Sequence, residues 1–470
     1  MRVAVALLAC LLILMTLVLP APLAVQAGSA ALPVAFQTVV DRSFIYVNNN
    51  DFENSVSAFR LLGNARLEPV SGSPFSTGGI GGKTSDIGSL TICRSRALLY
   101  ITNNADNSVT GFRINPDGKL TRLPGTPIST GGRFPAGVVC NTEGTRLFVA
   151  NIESDSIAAF TINSNGALQP LANSPFRVSN GPISLAINNA GTVLFAGHQF
   201  NRSIGSYSID TTGALRQTGN FSTLGTVVHG LALHTPSARL YVAELGSNSI
   251  SGFRVDLNSG MLALLPNVPY FTDGDRPIDI TVSPNGNLVF VSNNNTSSIT
   301  VFSVNSDGSL RAVPGSPFTT DGDGPAGLTM NSAGTLLFVA NGGFGGSKDV
   351  SVYQVDSSGQ LRPVLGSPFS TGSIGIPSAI GIFEFPPPPK ITKARFAMKK
   401  RRLTIDGSSL APSPEVTING KLLRPSRLFS VTDSQIVLAG MPEKLNLRSG
   451  DNNITVSILG QISNTFILKQ

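Results

Sequence analysis

The chain has 470 residues, enough for about three average domains or for one large all-β unit with a small companion. Charged residues are only 13% of it, while 49 Gly and 31 Pro punctuate a sequence that is 41% hydrophobic. That hydrophobic content excludes a disordered chain, and the dense Gly/Asn/Ser/Pro turns exclude a helical one, leaving many short strands.

The chain opens on Met1-Arg2, an apolar run from Val3 to Leu19, and Val25-Gln26-Ala27. A positive start, an apolar core and small residues at the last and third-last positions predict a signal peptide over 1–27. An uncleaved anchor helix is the rival reading, but the run is short for a span and prolines come directly after it. No other segment is long enough to cross a bilayer. The expectation is therefore a secreted, periplasmic or cell-surface protein with no membrane span after cleavage. The mature chain keeps only Cys93 and Cys140, too few for a disulfide scaffold or a zinc cluster. They occupy equivalent slots in neighbouring repeats, so a bridge is conceivable; two buried free thiols is the reading adopted.

A repeat of about 48 residues organises most of the mature chain. The strand Phe44-Ile-Tyr-Val47 recurs as Leu98–Ile101, Arg146–Val149, Val193–Ala196, Arg239–Val242, Leu288–Val291 and Leu336–Val339, which makes seven copies. Each continues through a polar loop, a second strand ending in an aromatic, a Gly turn and a third strand, often with Gly-Ser-Pro-Phe, as at Gly315–Phe318. Four short strands per copy is one blade of a β-propeller. Near-continuous apolar runs such as Ile157-Ala-Ala-Phe160 fit sheets covered on both faces. The predicted fold class is all-β: a seven-bladed β-propeller over 34–385, followed by a small Ig-like β-sandwich. The ring must close to avoid a bare edge, and residues 376–385 are expected to supply the inner strand of the first blade.

Pro386–Pro389 reads as a stiff spacer, and 390–470 as the sandwich. Residues 386–470 carry 13 Lys/Arg against 5 Asp/Glu, a net of +8, and the rest 21 against 22, a net of −1. The basic run Lys399-Lys-Arg-Arg402 is either a solvated hairpin or a patch for anionic envelope polymers. Leu403-Thr-Ile-Asp-Gly, Val416-Thr-Ile-Asn-Gly-Lys and Asn453-Ile-Thr-Val together resemble the IPT/TIG immunoglobulin-like family, which implies a spacer or interaction module.

In a propeller the loops between second and third strands share a face with the inter-blade loops. Here that face carries, three residues after each ring aromatic, Asn49, Asn103, Asn151, His198, Glu244, Asn293 and Asn341. Asn at such sites can tie down a turn through its side chain. His198 and Glu244 depart from the pattern. His229 begins the inner strand of the Glu244 blade, at the mouth of the central channel, and Arg276 occupies the next inter-blade loop. His229 with Glu244 and Arg276 could perform acid/base work on an ester. The same residues, with His198, Asn293 and Asn294, suit a sugar- or peptide-binding patch, or a polar rim without a ligand. Three His in all argue against a metal site, and no cofactor motif is present. The twin Thr-Asp-Gly-Asp loops at 272–275 and 320–323 read as turns rather than calcium sites.

The seven repeats and the Pro284-Asn-Gly286 turn resemble the lactonase-type seven-bladed propellers and the overlapping YVTN repeat proteins. In the enzymes a His stands twelve residues before a ring Tyr that opens Tyr-Val-x-Asp-Leu-Gly; here His229 precedes Tyr241 by twelve, and Glu244-Leu-Gly246 comes after it. The next blade of the enzymes supplies an Arg and, in an Asn-Glu-Leu element, a Glu. In this sequence Arg276 lies one place early, and Asn294 of Asn293-Asn-Asn295 holds the Glu position. The resemblance implies lactone chemistry as the alternative to the leading expectation, a monomeric binding or scaffold protein for a polysaccharide, peptide or envelope component. No nucleic-acid partner is expected.

Overall fold

The computed structural model describes residues 42–82, 89–342 and 347–469; the predicted signal peptide and residues 34–41 of the expected propeller lie outside them. No helix among the described residues is long and apolar enough to cross a membrane. Seven antiparallel sheets of like topology stand around a common axis, and two further sheets come after them in the chain. Blade 5 shows the pattern: inner strand Val228–His234, then Arg239–Glu244, Ser249–Val255, and an outer strand in two pieces, Leu262–Leu264 and Tyr270–Phe271. Six blades have the divided outer strand; blade 4 instead has one strand, Leu215–Ser222. In blade 1 the inner strand comes from the far end of the ring: Ala379–Glu384 pairs with Ser43–Asn48, Ser43 opposite Glu384 and Asn48 opposite Ala379.

The core lies between blades. Tyr241, Ala243 and Ile250 of blade 5 pack on Val289, Val291 and Phe302 of blade 6, all fully or almost fully buried. Three ring tyrosines add a directional lock. Tyr46, Tyr100 and Tyr241 each donate a hydroxyl proton to a turn glycine of the following blade, Gly118, Gly166 and Gly308, at 3.0, 2.7 and 2.8 Å. The turn needs glycine on two counts: Gly118 has φ +84°, and a Cβ there would stand 2.2 Å from the Phe44 ring. Burial pushes the Tyr241 hydroxyl up to about 12, so it remains a donor.

Cys93 and Cys140 end the inner strands of blades 2 and 3 with their Cα atoms 5.9 Å apart, and they form a disulfide. This corrects the free-thiol expectation. Equivalent positions on adjacent inner strands lie within disulfide reach, which spacing alone did not establish.

Residues 390–469 form a β-sandwich. One sheet contains Lys390–Ala397, Arg402–Ser408, Gln435–Ala439 and Leu428–Val431; the other is built on Glu415–Ile418 and Asp451–Ile458. Leu403, Ile405, Ile436, Ile454 and Val456 fill the space between them. The sandwich is not held away from the propeller. Pro386 O accepts hydrogen bonds from Arg42 and Gln461, both at 2.9 Å, and Leu459 packs on the core that blades 1 and 2 share. These contacts fall on the face opposite the loops between second and third strands.

Candidate functional site

The seven positions after the ring aromatics are not an accessible rim. Asn49, Asn103, Asn151, His198, Glu244, Asn293 and Asn341 are all 0% exposed. Instead of folding back on its own loop, each Asn amide reaches the third strand of its blade. Asn103 Nδ2 donates to Ser108 and Thr110 hydroxyls at 2.9 Å each, and Asn293 to Ser298 and Thr300 at 3.1 and 2.8 Å. The hydroxyl passes its own proton onward: Thr110 Oγ1 donates to Thr77 O at 3.0 Å. An amide, two hydroxyls and a loop carbonyl thus clasp the inter-blade loop to the sheet.

Glu244 performs this role with reversed polarity. Its carboxylate accepts from Gly225 N at 2.9 Å and from Ser249 Oγ at 3.1 Å, and burial raises its pKa despite these donors. His198 replaces the amide in blade 4, where its Nε2 lies 3.3 Å from Tyr207 Oη. The hydroxyl position is vacated there: a Cβ on Gly205 would come 2.7 Å from His198 Nε2 and 2.5 Å from Tyr207 Oη. Desolvation lowers the His198 pKa to about 4, with Asp155 opposing, so the ring is neutral.

Asn294 is also structural, its amide donating to Pro325 O of the next blade at 3.3 Å. Arg276 has φ +62°, with its N–H held by Asn248 Oδ1 at 2.9 Å. Its charge lies beside Asp275 and helps depress that carboxyl, after hydrogen bonds from Asn295 and Asn248. Glu244, His198, Arg276, Asn293 and Asn294 do not line the central cavity; His229 does.

That cavity, about 160 Å³, is walled by the inner strands of all seven blades. His229 is 6% exposed, and its Nδ1 lies 2.9 Å from Ile278 O. A carbonyl can only accept, so Nδ1 carries a proton. Elsewhere a hydroxyl fills this slot: Ser292 Oγ donates to Ala326 O at 3.2 Å. Blade 5 has Ala243 where blade 6 has Ser292.

The one other titratable group on the described wall is Asp279, which sequence reasoning missed. It sits on the inner strand of blade 6, Pro277–Val282, next to that of His229. Its Oδ2 accepts from Leu328 N of blade 7 at 2.8 Å and its Oδ1 from Ile280 N at 2.9 Å. Desolvation outweighs both donors and pushes its carboxyl up to about 6. Aligned repeats carried the signal, since the matching residues elsewhere are Ser89, Gly137, Ser184, Gly230, Gly327 and Ala379. Small residues are required where inner strands converge: a Cβ on Gly230 would lie 2.8 Å from Ile278 O and 3.1 Å from Asp279 Cα.

A ring of seven such blades with a polar pit on its axis defines a seven-bladed β-propeller. The sequence model of the family described as "Lactonase, 7-bladed beta-propeller" matches residues 15–183, 171–273 and 265–373, and the chain belongs to that family. Among solved structures it is similar to the periplasmic gluconolactonase PpgL of Pseudomonas aeruginosa, with 20% identity, TM-score 0.58, and coverage of 73% of this chain and 99% of that one. A Bacteroides fragilis protein provisionally assigned as a 6-phosphogluconolactonase is similar at 18% identity and TM-score 0.61, with the same coverage. A Lactobacillus plantarum protein gives 15% and 0.61, again with 73% and 99% covered. At these identities the likeness concerns the fold. Comparison with curated proteins returns no match.

Proposed function

We propose that the protein is an exported binding module that takes a small polar ligand, or one terminal unit of an envelope polymer, at the channel mouth. The carrying observation is that Glu244 and Asn294, at the positions where the resemblance places carboxylates, are 0 and 4% exposed, the first in its blade clasp and the second bonded to Pro325 O of the next blade. Neither position therefore presents a carboxylate at the mouth beside His229. The loop face around the pit also exposes Phe52, Phe200, Leu224 and Ile374 at 63, 66, 50 and 81%, an apolar surface of the kind that contacts partners. The Cys93–Cys140 disulfide supports an oxidising compartment. We read the sandwich as an IPT/TIG-type module that attaches the propeller to anionic polymer through Lys399–Arg402. That run is at the hairpin tip remote from Pro389, about 25 Å along the strand at ~3.3 Å per residue.

A second reading, hydrolysis of a lactone, is favoured by His229, whose ring stands on the cavity wall with Nδ1 anchored on Ile278 O, the placement a general base needs. The two gluconolactonase-type neighbours support it as well. Purified protein and His229→Ala are compared on a lactone panel. Equal background rates are expected for a binding module; turnover that collapses in the variant would establish the hydrolase and remove the binding reading.

A further inference from the structure

We infer that the channel is a receptor for a primary ammonium group, bound by Asp279; this rests on reading the channel mouth as a binding site and specifies its ligand class. Of the seven equivalent wall positions only this one carries a charge, and it lines the pit. Both carboxylate oxygens are fixed by backbone N–H groups, leaving further lone pairs on each for a ligand. No Lys or Arg side chain lines the cavity among the described residues. A desolvated carboxylate without a cation is unfavourable, and an entering ammonium supplies one.

The approach carries the same sign. The described loop residues of this face hold nine Asp/Glu against four Lys/Arg, a net of −5. Such a field draws cations toward the mouth and repels phosphate esters and carboxylates. The wall itself offers acceptors: the Asp279 carboxylate and the Ser184 and Ser378 hydroxyls. An –NH₃⁺ group presents three donors and no acceptor, which matches that set. At about 160 Å³ the pit is smaller than the roughly 300–1,000 Å³ of drug-sized sites, so one amino sugar ring or one lysine side chain enters, not a polymer strand.

Isothermal titration calorimetry on the full chain at pH 7 tests this with glucosamine, glucose, N-acetylglucosamine, N-α-acetyl-lysine amide and CaCl₂. Binding is expected for glucosamine or the lysine amide, identifying a sugar or a peptide source, and at least about tenfold weaker for the neutral sugars, a difference of ~1.4 kcal/mol. Asp279→Asn should lose the same factor. Of the groups facing Asp279, His229 is titratable, whereas Ser292 and the blade 7 strand offer only hydroxyl and backbone groups. Amine affinity should therefore fall by up to about tenfold per unit as pH drops below 6, a readout that needs no variant. Equal binding of neutral and amino sugars would overturn the inference. So would Asp279→Asn binding amines undiminished, saturation by calcium alone, or no binding at all. Lactone turnover lost in His229→Ala would instead overturn the binding-module reading while leaving amine binding at Asp279 standing.

Discussion

Blade 4 offers the sharpest test of the clasp. His198 and Gly205 are a matched pair: the imidazole fills the space that a third-strand hydroxyl occupies in every other blade but the third, which has Ala158. Gly205→Ser alone should place Cβ 2.7 Å from His198 Nε2, overpacking a fully buried site, and such changes cost about 1–3 kcal/mol. His198→Asn alone should lose the Tyr207 contact and leave a buried amide with Ser203 but without its second hydroxyl acceptor, about 1 kcal/mol. The double variant recreates the Asn–hydroxyl clasp of blades 2 and 6. It should therefore be less destabilised than the sum of the two, by about 1–3 kcal/mol of coupling. Urea unfolding of all four proteins at constant m-value provides the measurement. Additive losses would show that the amide-to-hydroxyl geometry is incidental and that the clasp does not act as a unit.

Asp279 and His198 should give opposite pH signatures. The Asp279 pKa, raised from 3.8 to about 6, means that stability present below pH ~4 falls by about 3 kcal/mol as pH rises through 6; Asp279→Asn should remove that decline. The His198 pKa, lowered from 6.5 to about 4, means that stability present above pH 6.5 falls by about 3 kcal/mol as pH drops through 4. His198→Asn should flatten that limb in the same unfolding series. Tyr241→Phe removes the lock onto Gly308 and should lower stability by about 1–2 kcal/mol in the same urea series. Reduction of Cys93–Cys140 opens a loop with a sequence separation of 47 and should lower unfolding free energy by up to about 4 kcal/mol. An unchanged urea midpoint in reductant would contradict that contribution.

The propeller was legible because blades bury both faces: each second strand repeats an apolar run around one aromatic, from Tyr46 to Phe338, at a nearly constant interval. The site was less so. A residue's side of the strand is set by register, and the inner strands shift register near their starts, as between Pro277 and Asp279. His229 could be placed at the channel from its distance to Tyr241. Glu244 and Asn293 are polar residues at loop ends and read as rim, yet hydroxyls on the neighbouring strand draw them inward. Asp279 lies within Pro277-Ile-Asp-Ile-Thr-Val282, where a single acid in an apolar run stands out only once the repeats are aligned. Cys93 and Cys140 show a related gap, since linear spacing does not reveal that inner strands converge.

The sandwich docks opposite the loop face, and the two ends differ in sign: +8 over residues 386–470 and −5 on the described loops. The molecule thus has a long-axis electric dipole. A negatively charged surface would exert a torque that turns the positive pole toward it and the open pit away from it.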